Sequence, residues 1–180
     1  MPNKTFSFLI IFFVLIGCQN SSKEINDFLA DQNLPIGVAE NIHHVYKDSG
    51  RITSRLKAPI FWDYSNRNLN PYSEFPKGIE ITNIHKTTQD SVTIAGDYAI
   101  SFTHTSFSEI IGNVVVTNHQ EKVQLHTDKM YWDQKLRYFF SESPFTIYTQ
   151  KDTIHGVGFE SESNLNNWIL NKTFGNFTPQ

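Results

Sequence analysis

The chain has 180 residues, with 15 Lys and Arg against 18 Asp and Glu, for a net charge of −3. It has no block of basic residues, which argues against nucleic acid as a partner, because phosphate neutralisation needs clustered Lys and Arg. Its one cysteine rules out an internal disulfide, so a core rich in aromatics (15 Phe and 7 Tyr) must hold the fold.

The N-terminus reads as an export signal. Lys4 supplies a positive start, and Phe6 to Ile16 is apolar apart from Ser7, the length of a signal-peptide core and short for a membrane span. It ends in Leu15-Ile16-Gly17-Cys18, which resembles the bacterial lipobox, with small residues that fit the peptidase and a thiolate that takes a diacylglyceryl group. An uncleaved anchor helix is disfavoured because Gln19-Asn20-Ser21-Ser22-Lys23 turns polar at once. Cys18 is therefore the expected lipidation site. At roughly 0.8 kcal/mol per buried methylene, two or more acyl chains anchor stably. The expected organisation is a signal peptide over 1–17, a tether over 18–35, one β domain over 36–175 and a tail over 176–180. Removing the signal leaves 163 residues, enough for one domain with a core.

Within the tether, Glu24–Ala30 predicts a helical turn or two, and Pro35 and Gly37 close it. Short stretches rich in Val, Ile, Thr, Phe and Tyr then alternate with polar residues between turn signals. Gly50–Leu56 and Pro76–Ile81 read as strands, with Tyr72–Phe75 as a loop between them. Ser91–Tyr98 puts Val92, Ile94 and Tyr98 on one face. Gly112-Asn113 leads into Val114-Val115-Val116. Val123, Leu125 and Thr127 share a face. Leu136, Tyr138 and Phe140 follow a turn at Asp133-Gln134-Lys135, and Phe145 and Ile147 follow Pro144. Ile154, Gly156 and Gly158 share one face, with Val157 and Phe159 on the other; the two glycines suit a bulge or a close backbone approach. Eight to ten strands without intervening helices predict an all-β antiparallel sandwich, roll or barrel.

The sequence carries no pattern for catalysis. Histidines 43, 44, 85, 104, 119, 126 and 155 lack metal-site spacing, and His43 and His44 would point to opposite faces of a strand. Asp128 and Asp133 invite a two-carboxylate glycosidase reading, but a bulge after Thr127 and a turn at Asp133 account for both more simply. No phosphate loop, nucleophile elbow or dinucleotide fingerprint is present, so no catalytic residue, metal or cofactor is expected. An unclosed roll would leave strand edges able to pair with another subunit.

Five segments occur in order: Gly96-Asp97-Tyr98-Ala99, Gly112-Asn113-Val114-Val115-Val116, Leu125-His126-Thr127-Asp128-Lys129-Met130-Tyr131-Trp132-Asp133, Ser143-Pro144-Phe145 and Gly156-Val157-Gly158-Phe159-Glu160-Ser161. Together they resemble the LptC family of lipopolysaccharide export, in its Bacteroidetes-type lipoprotein form, over about Ile36 to Gly175. The resemblance implies a single β-jellyroll whose two sheets form a V-shaped groove for lipopolysaccharide acyl chains. It implies docking of one end on the permease of an ABC transporter and edge-to-edge pairing of the other with an LptA-like bridge protein. ATP would be hydrolysed elsewhere, and the site of action would be the periplasmic face of the inner membrane. Proteobacterial members keep an N-terminal transmembrane helix, which a lipobox replaces here.

Val92, Ile94, Val114, Val116, Val123, Leu125, Met130, Trp132, Phe145 and Ile147 either line such a groove or fill a closed core. Strand patterning admits both, and the resemblance favours the groove. The rival functional expectation is a carbohydrate-binding β-sandwich lipoprotein, with Trp62, Tyr64 and Tyr72 exposed to stack on sugars.

Overall fold

The computed structural model describes residues 22–85 and 87–174; the signal segment, Cys18 and the C-terminal tail lie outside them. The described part of the tether forms a helix, α1 (Ser22–Asp31), with Glu24 in its first turn, where a carboxylate favours the helix dipole. Its end is set by Asn33, at φ 54°. There Asn33 N–H donates to Ala30 O and Leu34 N–H donates to Leu29 O, the paired bonds of a left-handed helix cap.

From Pro35 onward the described chain is one compact unit. It comprises β1 (Gly37–Asp48), β2 (Arg51–Tyr64), β3 (Tyr72–Phe75), β4 (Ile79–Ile84), β5 (Ser91–Gly96), β6 (Tyr98–Phe102), β7 (Phe107–Asn118), β8 (Val123–Asp133), β9 (Tyr138–Tyr148), β10 (Thr153–Glu162) and β11 (Trp168–Phe174). All belong to one antiparallel sheet. Tyr72–Phe75, expected as a loop, is a strand because β2 and β6 bind it from both sides.

The pairings reduce to a simple meander. β2 pairs β4 through Ser54–Lys57 and β3 through Trp62–Tyr64. β5 and β6 likewise share β7, at Val115–Asn118 and Phe107–Ile111. Thus β3 with β4, and β5 with β6, are halves of single bent strands. The sheet folds along a crease crossed by β2, β7, β8, β9 and β10 and by the two bent strands, giving two leaves that face each other as a jellyroll. One leaf holds β3, β6 and Phe107–Ile111; the other holds β4, β5 and Val114–Asn118.

The crease follows from local sequence. Register slips between Ile111 and Val114, Thr127 and Tyr131, and Val157 and Phe159. Each slip is a bulge, which bends its strand and raises its twist. Gly112 and Asn113 both take positive φ, 77° and 45°. Asn113 Nδ2 donates to Asp97 Oδ2 at 2.6 Å and Asp97 N–H to Gly112 O at 2.9 Å, so two neighbouring bends are tied together. On β2 the crease falls at Pro59, which has no N–H to donate. A β-carbon on Gly112 would meet the Asp97 carboxyl at 3.0 Å, in a conformation side chains rarely adopt. Gly112→Val is expected to cost about 1–3 kcal/mol, read as a lowered urea midpoint. A midpoint equal to wild type would show that the bend does not need glycine.

Candidate functional site: the apolar interior between the leaves

Bulges reset the alternation that sequence periodicity assumes. On β8, Val123, Leu125 and Thr127 point inward; after the slip Met130 and Trp132 do so. On β10, Gly156 is followed by Phe159 on the same buried side, with Gly158 between them at φ 77°, opposite an extra residue on β9. Val157 and Phe159, expected to share a face, therefore part. At Asp97 the break between β5 and β6 makes Ala99 the buried residue, leaving Tyr98 on the outer face. On β9 the buried aromatic is Phe139, with Tyr138 and Phe140 only half-buried and Leu136 in the exposed turn.

All ten residues expected to line a groove or fill a core lie inward in one apolar cluster, none more than 9% exposed. Phe75, Ile79, Ile110, Phe139, Phe159 and Leu165 join them. Each such side chain, fully buried, contributes about 1.5–3 kcal/mol. The interior is closely packed. A seam between Val123, Leu125 and Ile147 of one leaf and Phe159, Trp168 and Leu165 opposite has no room for water.

Buried polar groups are matched. Thr127 Oγ1 donates to Pro144 O (2.8 Å) and Ser161 Oγ to Asn167 O (3.0 Å). Ser108 Oγ donates to Ser101 Oγ (2.9 Å). The exception among the described residues is Trp132, whose buried Nε1–H has no partner. Its ring packs edge-on against Phe139, with centroids 5.8 Å apart. A buried orphan donor costs about 1–3 kcal/mol.

The outer surface carries the charges. Phe107, Tyr131 and Phe140 stack across three strands, with centroids 5.1–6.0 Å apart. Lys129 pairs with Glu109 and sits 4.8 Å from the Tyr131 ring centre; its pKa is raised by the Glu109 bond. Tyr98 OH donates to Glu74 Oε1 at 2.9 Å, and burial, then that carboxylate, raise its pKa well above the usual phenol range. The Tyr138 pKa is also raised, by its bond to Glu160. An open cleft of about 600 Å³ lies at the crease over Pro59, Gly78 and Gly96, where Lys57 and Glu80 form an ion pair at 2.9 Å.

The residues that suggested other chemistry have local roles. Asp128 lies in the β8 slip, and Asp133 Oδ1 accepts the Leu136 N–H in the following turn (2.8 Å). Among the described residues no group of three His, Cys, Asp or Glu could hold a metal ion. Tyr64, expected to be an exposed sugar platform, is only 6% exposed and is stacked under Tyr72 at 4.6 Å. β2 and β3 bring the two rings together on one side, and Trp62 and Tyr72 are half-buried.

The arrangement offers hydrocarbon surface inside and unpaired backbone at two edges. Among the described residues β1 bonds only β2, and β11 only β10. Both edges carry exposed apolar side chains: Val38, Val45 and Tyr46 on β1, Ile169 and Phe174 on β11.

Two outcomes test this description. Trp132→Phe removes the orphan donor but keeps an aromatic, so stability should stay within about 1 kcal/mol or rise, whereas Trp132→Ala should lose about 3–5 kcal/mol. Equal losses would mean that the indole N–H is paired. Above about pH 10 the unfolded chain releases the Tyr98 proton while the folded chain keeps it, so stability should fall as pH rises there. Tyr98→Phe should flatten that fall in alkaline unfolding curves, and an unchanged slope would refute the assignment.

The family model for lipopolysaccharide-assembly, LptC-related proteins matches residues 7–171. No curated protein matches the chain. Among the described residues no helix is long and apolar enough to cross a membrane. With a match over most of its length and an all-antiparallel jellyroll to correspond, the chain belongs to the LptC-related family, a transport component whose role lies in lipopolysaccharide assembly.

Proposed function

We propose that this protein accepts lipopolysaccharide from an inner-membrane ABC transporter permease and relays it to an LptA-like bridge protein, holding the acyl chains between its leaves. The observation that carries this reading is one creased sheet with a predominantly apolar inward face and, among the described residues, two unpaired edges. Acyl chains are held by burial of apolar area, so a mildly acidic protein is compatible with the ligand. Val92, Ile94, Val114, Val116, Val123, Leu125, Met130, Trp132, Phe145 and Ile147 are the proposed contact residues, reached when the leaves part. β-Augmentation supplies the partner contacts: a strand added to a free edge gains main-chain hydrogen bonds and continues the apolar trough.

Cys18 would carry the lipid that keeps the module at the periplasmic face of the inner membrane. It lies 19 residues ahead of Gly37 in sequence. On this reading the β1 edge, next to the tether in sequence, serves the membrane-side permease, and the β11 edge serves the bridge protein. A photo-crosslinking residue at Leu125 in living cells should trap lipopolysaccharide, and one at the neighbouring outward Gln124 should not. One at exposed Ile169 should trap the bridge protein. Equal lipid trapping at positions 124 and 125, or none at 125 in a folded protein, would overturn the reading.

A further inference from the structure

The segment between β10 and β11, residues 163–167, reads Ser-Asn-Leu-Asn-Asn, a single apolar residue among polar ones. Its Leu165 is 2% exposed although it lies in a turn, and its φ is +57°. A β-carbon-bearing residue is held in that conformation only when its surroundings over-determine it. Leu165 fills the seam between Val123, Leu125 and Ile147 on one leaf and Phe159 and Trp168 on the other. The loop is fastened to both leaves. Ser163 N–H donates to Arg137 O at 2.8 Å, in the turn ahead of β9. Asn118, at the far end of β7 and 4% exposed, donates from Nδ2 to Asn164 O at 2.7 Å and to Asn166 Oδ1 at 3.2 Å.

Resting on the reading of the interior as an acyl-chain site, we propose that this loop is a clasp that closes the mouth of the roll, with Leu165 occupying the place of a hydrocarbon chain. Release of the Asn118 bonds withdraws Leu165 and frees the seam; an entering acyl chain replaces its contacts with equivalent apolar ones. Asn118 is suited to such a device because its two ends act separately. Its Oδ1 accepts the Gln120 and Glu121 N–H groups, at 2.9 Å each, and holds the β7–β8 turn, while its Nδ2 alone holds the clasp.

That separation makes Asn118→Asp the decisive variant, since the carboxylate keeps the turn bonds and loses the donor. With a photo-crosslinking residue at Trp168 in the full-length protein in cells, adducts to lipopolysaccharide should rise at least threefold in Asn118→Asp. In the Asn118→Cys, Asn166→Cys pair they should fall at least fivefold when oxidised and recover on reduction, the reduced form being its own folding control. Wild-type adduct levels in the oxidised pair, with Leu125 still trapping lipid, would overturn the clasp and leave the relay reading standing. No lipid adduct at either Trp168 or Leu125 in any variant would overturn both.

Discussion

The long strands β2 and β7 to β10, and the pairs β3 with β4 and β5 with β6, turn the same corner, and the geometry of that corner governs the rest of the fold. An antiparallel meander of this length would otherwise be an open sheet with one apolar face in water. Bulges on neighbouring strands, aligned by the ladder between them, fold it so that the apolar face meets itself. The bond from Asn113 to Asp97 and the left-handed pair at Gly112-Asn113 hold two of those bends in step. A bend on one strand alone would break the ladder; bends in register preserve it.

Folding a sheet without closing it has two consequences. The leaves pack through side chains alone away from the crease, so their separation is limited by apolar contact and by the few bonds that cross the open side. Asn118 with the 163–167 loop is such a crossing. Among the described residues the first and last strands also keep one unpaired side each. Soluble proteins blunt free edges with charge or by covering them. Here β1 ends in Lys47 and Asp48 and β11 carries Lys172, yet both also expose apolar side chains. Edges of that mixed character suit strand addition in a directed assembly better than isolation.

The division between inner and outer faces separates two kinds of chemistry. Inside, the polar groups are tied to backbone carbonyls, neighbouring hydroxyls and turns, which leaves Trp132 Nε1–H as the buried donor in need of an acceptor among the described residues. Outside, tyrosines and lysines pair with carboxylates in partly screened settings, where ion pairs contribute little to stability. On the proposed acyl-chain reading, specificity has to come from the shape of the interior and access to it, rather than from a charged pocket.

The sequence by itself determined the class of the fold, its antiparallel character, the identity of much of the core and the family. These depend on period-two alternation, on turn residues and on an ordered set of segments, all of them local. Val92, Ile94, Val114, Val116, Val123 and Leu125 were legible as inward residues because no irregularity interrupts their runs. Phe159, Phe139 and Ala99 were not, since a bulge or break, or a shift in where a strand begins, moves the buried set by one position without changing composition. Tyr72–Phe75 was too short to show a period, and two flanking strands made it a strand. The meeting of the leaves and the burial of Leu165 were decided by tertiary structure alone. Both depend on residues more than 40 positions apart, such as Asn118 and Asn164, whose pairing exists only once the crease has brought the two ends together.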